Sequence, residues 1–529
     1  MIIQKLLIKL QFQKIWKKWQ KILQVEQNRY YNINKLANQM ICIVYLKEKK
    51  TVLSAQQHKN YMGMSRIKVN TQFLIIYQIQ IFIDFYFIFF TFNYFFILGK
   101  KFISDRDLTK KPLEYIKTVI SFKEEVDDIV KNHLENNIIY QNARDSSFKV
   151  FLNKFDKTVR YLAMHTDKEL KSDLKGLQDE EVDQRIQSIK GIFLYLYSKD
   201  QFIQDYSVYL SKRLLNQTSI SDDWENKMIS SLKAETGHTM VFKLTQMCQD
   251  VQLSKSKIKP EFKEYLQNNL SELEKQQNNI EANIMVLTRS LWPIKSDFSK
   301  LPKIPDQLQH IVKHFENYYG QNFAKNRRLQ FLLKEGKSEI KAQFQNQKKI
   351  LIVSNFQLSI LLTFNNVIGE KITYGNLLLS TQIPGDEIRE HLLSLIKLKI
   401  LEREDQDLLA PIKNEEKISV NENFTNQQMK IKCIPGKEFH KKPEANTEQE
   451  KINQEQINQQ RNYVIEATIV RVMKSKRVLT VNEICQDTIS LINMFKPEIK
   501  NIKERIDDLI AREYLQRDEK NKASIIYKP

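Results

Sequence analysis

The sequence predicts a mainly α protein: a helical body, then a small mixed α/β region, then two winged-helix domains. Three observations carry this. Apolar residues recur at helical spacing from Leu113 to Met247. Strand-like runs concentrate in a short stretch around 284–344. One order of helix, strand step, two helices and a strand pair occurs twice near the end.

The second of these repeats, 461–529, is the more readable. A helix from Val464 puts Ile465, Ile469, Val472 and Met473 on one stripe, which is the buried face. Lys474 falls nearly opposite, and Arg471 lies one turn earlier on the same exposed side. Lys476 and Arg477 add positive charge beside it. A β-leaning step, Val478-Leu479-Thr480, leads to a second helix from about Asn482 to Phe495. Pro497 suits the first turn of a third helix, with Ile499, Ile502, Ile506, Leu509 and Ile510 inward. Tyr514–Arg517 and Ser524–Tyr527 read as two strands around a polar turn.

Here the chain resembles a known family. The runs YVIEATIVRVMKSKRVLT and FKPEIKNIKERIDDLIAREYLQRD, with the terminal IIYKP, are similar to the C-terminal domain of cullins, the scaffolds of multisubunit ubiquitin ligases. In that family the lysine of the IVRxMK motif receives a ubiquitin-like modifier through an isopeptide bond (neddylation). The resemblance puts that role on Lys474, with Arg471 and Met473 as supporting motif positions. A lone lysine opposite an apolar stripe is ordinarily a solvated surface group, so the assignment rests on the motif around it.

The resemblance extends upstream. The segment from Tyr195 to Asp250, through SKRLLNQTSISDDWENKMISSLKAETGHTM, looks like the cullin homology signature. Ser219–Asp223 is a turn rich in helix-capping residues, and Gly237 is a helix stop. KPLEYIKTVISFKEEVDDIV and FKVFLNKF look like the end of the helical cullin-repeat region. Ile284–Trp292 reads as a strand, Leu329–Leu333 and Ser338–Phe344 as a hairpin around EGK, and Trp292-Pro293 matches the WP of the family's α/β domain. There, a RING-finger subunit donates a strand to the family's sheet. LSLIKLKILERED echoes DDLIAREYLQRDE, so Leu395, Ile396, Leu401 and Arg403 correspond to Leu509, Ile510, Leu515 and Arg517.

The resulting division is 1–110 unassigned, 111–190 the last cullin-type helical repeat, 191–283 a helical bundle, 284–352 the α/β domain that docks the RING subunit, 353–413 the first winged helix, 414–460 a polar linker, and 461–529 the second winged helix. The N-terminal cullin repeats are expected to be mostly absent, which puts recruitment of a substrate adaptor in doubt. The linker, KKPEANTEQEKINQEQINQQ at its end, reads as a flexible hinge or a solvated helical spacer.

Composition bounds the remainder. The net charge is +20, but residues 1–118 carry 20 Lys and Arg against 6 Asp and Glu, so most of it lies outside the recognisable part. The opening KLLIKLQFQKIWKKWQKIL is basic and amphipathic. Segment 73–98 is long and apolar enough to span a bilayer, yet it holds Asp84 and many Phe. It fits a membrane span, a buried helix, or translated noncoding sequence of an AT-rich gene. Cys42, Cys248, Cys433 and Cys485 are far apart with no CxxC, which argues against a disulfide framework or zinc ribbon and for a reducing compartment, cytoplasmic or nuclear. His310 and His314 sit at i, i+4 but lack the Glu of HExxH and a third ligand. No P-loop, GxSxG or Cys–His pairing occurs.

The expectation is therefore a scaffold with no catalytic residue, metal or cofactor. Its implied partners are a RING-finger subunit, a ubiquitin-conjugating enzyme held through that subunit, the ubiquitin-like modifier and, where the repeats permit, a substrate adaptor. Two other readings stand beside it. One is the cullin-like subunit of the anaphase-promoting complex, against which the intact IVRVMK motif speaks. The other is a DNA-binding winged helix using Lys500, Lys503 and Arg505, a surface that Glu498, Glu504, Asp507 and Asp508 interrupt, so no nucleic acid is expected.

Overall fold

The computed structural model describes residues 89, 91–270, 280–294, 301–323, 326–345, 347–365, 370–405, 410–436, 443–518 and 524–528, with side chains omitted for 443–453. All belong to one compact unit, Phe87–Pro529. The basic amphipathic opening, Cys42 and most of the apolar segment 73–98 lie outside the described residues. The described end of that segment continues a helix over 91–104, and Phe95 is buried in the main core. Gly99 lets this helix approach closely: a Cβ there would sit 2.5 Å from the Phe151 ring.

The body is helical. Its helices are α1 (Pro112–Asp128), α2 (Ile138–Leu152), α3 (Thr158–Lys168), α4 (Asp179–Phe193), α5 (Lys199–Asn216), α6 (Asp222–Thr236) and α7 (His238–Leu253). Pro112 occupies the first turn of α1, where its missing N–H costs nothing. Ser221 caps α6 by accepting from the Asp223 N–H, and Gly237, at φ +83°, ends α6 and admits α7. One apolar cluster runs from Phe95 through Phe148, Phe193, Phe202 and Leu244 to Trp292. A polar knot ties α3, α5 and α6 inside it. Arg213, 1% exposed, reaches Glu225 through Nε and Nη2 at 2.7 and 2.8 Å and Asp167 through Nη1 at 2.7 Å. The Tyr206 and Ser219 hydroxyls also donate to Glu225. Every lone pair of that buried carboxylate is thereby used, as burial of charge demands.

A π-helical turn, Ser254–Ile258, joins α7 to α8 (Lys259–Asn269), which packs on α9 (Asp306–Asn322) through Phe262, Phe315 and Tyr318. The α/β region continues with strands β1 (Lys337–Gln343) and β2 (Lys348–Ser354), antiparallel, Lys337 opposite Ser354. The expected hairpin around EGK is displaced by one element. Leu329–Leu332 has no strand structure and Leu333–Glu335 is a 3₁₀ turn, so the reversal falls after Phe344. The cause is local: the Gly336 carbonyl accepts the Asn355 N–H at 3.1 Å, and the glycine approaches that side chain too closely for a Cβ.

The first winged helix comprises α10 (Asn355–Asn365), β3 (Ile372–Thr373), α11 (Tyr374–Thr381), α12 (Gly385–Lys397), β4 (Leu401–Arg403) and β5 (Lys417–Val420), in sheet order β3-β5-β4. Its closing strand lies beyond 413. Strand β6 (Lys430–Lys432) then returns to pair in parallel with β2. The stretch 414–460 is accordingly structured rather than a linker throughout. Its final part belongs to α13 (Pro443–Lys476), which runs unbroken into the motif. Pro443 suits a first helical position, and no Gly or Pro occurs between 444 and 496 to interrupt the helix. From Pro443 on, the Gln-rich segment is helical, which matches the helical-spacer alternative.

The second winged helix repeats the topology with β7 (Val478–Thr480), α14 (Val481–Leu491), α15 (Ile499–Ala511), β8 (Leu515–Arg517) and β9 (Ser524–Tyr527), in sheet order β7-β9-β8. The echoed residues are equivalent in place: Leu395, Leu401, Leu509 and Leu515 are all at most 2% exposed. Their arginines differ. Arg403 grips Glu416 with both side chains nearly buried, whereas Arg517 meets Asp507 at the surface.

Candidate functional site

Helix α13 brings the motif to a defined end. Ile457, Ile465, Ile469 and Met473, spaced at multiples of four, face inward, and Met473 is fully buried among Ile484, Cys485, Ile506 and Ile525. Lys474 is exposed on the last turn, where a cation suits the helix dipole. The helix stops because Arg477 turns left-handed, φ +66°, its N–H donating to the Met473 carbonyl at 2.8 Å. The Arg477 carbonyl accepts the Tyr527 N–H at 2.9 Å, and β7 pairs at once with β9. The backbone under Lys474 is therefore fixed from two sides while its side chain stays in water.

The surrounding cations divide. Lys476 donates to Asp487 on α14 at 2.7 Å. Among the described residues Arg471, Lys474 and Arg477 have no ion-pair partner, so three positive groups stay open at one end of the helix. The base is rigid: Glu466 on α13 accepts from Arg512 at 2.6 Å and Arg505 at 3.4 Å, and Thr480 and Glu483 form a reciprocal cap on α14. The hydrogen bond from the Thr480 N–H holds the Glu483 carboxyl below the ordinary range. Arg505 also pairs with Asp508 at 2.7 Å and Lys500 with Glu504 at 4.0 Å, so two of the three cations of the DNA-binding reading are engaged within the domain. A lysine amine so presented can attack a carbonyl brought by a partner.

The terminal domain is also held against the body. Arg461 donates from Nε and Nη2 to Asp200 at 2.6 and 2.8 Å and lies over Phe495, 4.9 Å from the ring centre. The Lys199 N–H donates to the Met494 carbonyl at 2.9 Å, and Lys496 lies over Tyr197 at 5.3 Å. Sequence reasoning missed this contact, because its partners are 261 residues apart.

A second feature lies at 280–294. The expected strand Ile284–Trp292 is extended chain up to Thr288 and then turns; it has no strand partner among the described residues. Its side chains alternate as a strand's do. Ala282, Ile284 and Val286 pack on the α8–α9 cluster, while Met285 and Leu287 pack on the helical body. Asp250 and Ser254, one turn apart at the end of α7, tie it down. Asp250 accepts from the Thr288 N–H at 2.8 Å and the Trp292 Nε1–H at 2.9 Å, and Ser254 accepts from the Val286 N–H at 3.0 Å. The i, i+4 spacing of Asp250 and Ser254, which puts both on one face of the helix end, was the sequence signal of this tie. His310 and His314 lie on α9, and no group of three or more His, Cys, Asp or Glu among the described residues could hold a metal. No helix among them is long and apolar enough to cross a membrane.

Comparison with known proteins fits this layout. Residues 1–258 match the cullin alpha solenoid domain, 286–424 the cullin alpha+beta domain, and 460–521 the cullin protein neddylation domain. The first match corrects the expectation that the cullin repeats are mostly absent and that 1–110 is unassigned: the solenoid match includes those residues. Their Lys- and Phe-rich composition hid the resemblance. Among curated relatives, cullin-3B of Arabidopsis thaliana is 30% identical over 80% of this chain and 56% of its own length. Cullin-3 of Dictyostelium discoideum is 30% identical over 80% of the chain and 58% of its own. Human cullin-4A is 31% identical over 78% and 52%. The chain thus spans little more than half the length of these relatives. Solenoid, alpha+beta and neddylation domains succeed one another along a single polypeptide whose structure bears the same order, and the chain belongs to the cullin family.

Proposed function

We propose that this protein is a non-catalytic scaffold of a RING-type ubiquitin ligase, activated by attachment of a ubiquitin-like modifier to Lys474. The observation that carries the reading is the exposed, unpaired Lys474 on a rigid helix end within the segment matched as a neddylation domain. In the reaction the Lys474 amine attacks the thioester carbonyl of a modifier carried by a partner enzyme. The new C–N bond replaces the C–S bond, the thiolate leaves, and the amine gives up one proton. Arg471 and Arg477 supply charge for an acidic face of that partner.

The alpha+beta region holds a RING-finger subunit by strand addition, and that subunit brings the ubiquitin-conjugating enzyme. The scaffold contributes proximity and orientation rather than chemistry. Modification of Lys474 favours release of the terminal domain from the contact between Arg461 and Asp200, with α13 moving as one body. The test is affinity purification of the full chain with mass spectrometry of bait and partners. A co-purifying RING-finger protein and a modifier remnant on Lys474 support the reading; absence of both overturns it.

A further inference from the structure

We propose that a recess between α8 and α9 binds a primary alkylammonium group, of the kind that ends a lysine side chain. The inference draws neither on Lys474 nor on the RING subunit, and it goes beyond the scaffold function.

Helical spacing builds the recess. Lys257, Glu261 and Tyr265 lie four residues apart, so they stack on one stripe from the π-helical turn into α8, with Glu264 beside them. On α9, Tyr318 stands one turn before Asn322, and Phe323 ends the helix in an extended conformation. These side chains line a recess of about 380 Å³, within the range of about 300–1,000 Å³ for small-ligand sites. Three rings wall it. Tyr318, 2% exposed, is the middle one; Tyr265 lies 5.6 Å from it at 54°, and Phe323 6.3 Å from it at 74°. Rings so inclined around one space offer it π faces, which attract cations. Tyr319 covers one face of Phe323, stacked at 4.5 Å, and the Lys257 ammonium lies over that ring, 5.7 Å from its centre.

The polar groups that remain are acceptors. The Tyr318 hydroxyl donates to one oxygen of Glu261 at 2.8 Å, and burial, with that bond next, keeps its proton in place. The bond fixes the Glu261 carboxylate and leaves its second oxygen open among the described residues. Asn269 and Asn322 donate to the carbonyls of Tyr265 and Tyr318 at 2.8 and 3.0 Å, so their side-chain oxygens stay available. Two carboxylates thus face one ammonium, and the recess is one positive charge short in a chain of net charge +20. An anion is repelled there. A quaternary ammonium would satisfy the rings but bring no N–H to Glu261, Glu264 and the amide oxygens. A primary ammonium brings three donors on a methylene stem that packs against the rings.

Ligand-observed NMR titration of the full chain with butylammonium, at fixed ionic strength, tests this. Saturable binding is expected, with tetramethylammonium weaker by at least about threefold and butyrate not bound. Glu261→Gln and Glu264→Gln should each weaken butylammonium by at least about threefold, the worth of a partly exposed ion pair. Glu261→Gln keeps an oxygen for the Tyr318 hydroxyl and Glu264 is exposed, so neither melting curve should move. Lys257→Gln should act in the opposite direction and tighten binding, because the resident ammonium no longer competes. N-acetyl-lysine methylamide binding more tightly than butylammonium identifies a side chain presented by a protein; equal affinity identifies a free amine. Unsaturable uptake, unchanged binding in both glutamate variants, or tetramethylammonium or butyrate binding as tightly as butylammonium overturns the site. Each of these results leaves the scaffold function, which rests on Lys474, as it stands.

Discussion

Replacing Arg461 with Ala should free the terminal winged helix from the helical body without unfolding either. The guanidinium forms two parallel bonds to Asp200, and the two side chains are 21% and 16% exposed. An exposed pair contributes under about 1 kcal/mol, while breaking a fully buried one costs about 3–5 kcal/mol. Stacking over Phe495 adds about 0.5–1 kcal/mol at this partial exposure. A loss of about 2–3 kcal/mol results, which lowers the docking equilibrium constant roughly 30- to 160-fold. The backbone bond from Lys199 to Met494 reports docking directly, since its amide is covered only while the two parts touch. Hydrogen exchange at Lys199 should therefore accelerate by about that factor, with the Phe193 and Phe202 amides unchanged. Asp200→Ala should do the same, and the double variant should be no worse than either single one. Unchanged exchange at Lys199, or effects that simply add, would refute the reasoning.

The same geometry sets further outcomes. Glu466→Ala leaves Arg512 and Arg505 without their shared acceptor and should weaken exchange protection of α15 by about 1–2 kcal/mol, read as faster exchange at Ile502 and Ile506. Gly336→Ala would set a Cβ 2.0 Å from Asn355 Nδ2, forcing that side chain off the Ser338 hydroxyl it accepts from; a loss of about 1–3 kcal/mol in a denaturant titration is expected. His165 is 3% exposed, and burial, with Lys117 next, pushes its imidazole down to about 4. A depressed folded value means that stability is whole above the unfolded value of about 6.5 and is lost as pH falls through about 4, by up to about 3 kcal/mol. Burial raises the neighbouring Glu169 carboxyl, which works in the opposite direction, and Asp173, Lys168 and Arg185 complete the surroundings. Denaturation of the parent and His165→Phe at pH 7 and 4.5 should show the smaller acid loss in the variant; equal losses would contradict this.

The terminal winged helix was legible because its determinants are local. The stripe of Ile465, Ile469 and Met473 and the strand pair each lie within a few residues, and the structure adds the Thr480–Glu483 cap and the left-handed turn at Arg477. What escaped the sequence depends on distance. Strand β6 is polar and short, and its pairing with β2 crosses the whole first winged helix. The stretch 284–292 has a strand's alternation but no ladder among the described residues, so periodicity alone named an element that their hydrogen bonding does not complete. In α13 the upstream Gln, Asn and Glu offer no apolar stripe before Ile457, and a helix without one looks like a linker. The N-terminal solenoid was hidden for a compositional reason, its Lys and Phe content masking the family pattern.

The central claim is that Lys474 is the acceptor of a ubiquitin-like modifier. The most direct measurement is site-resolved mass spectrometry of the chain after reaction with a ubiquitin-like modifier and its conjugating enzymes, for the parent and for Lys474→Arg. The account predicts one isopeptide remnant, on Lys474, lost in the variant while its melting curve is unchanged. Modification at full rate in Lys474→Arg, or a bare Lys474 in a parent modified elsewhere, would contradict it.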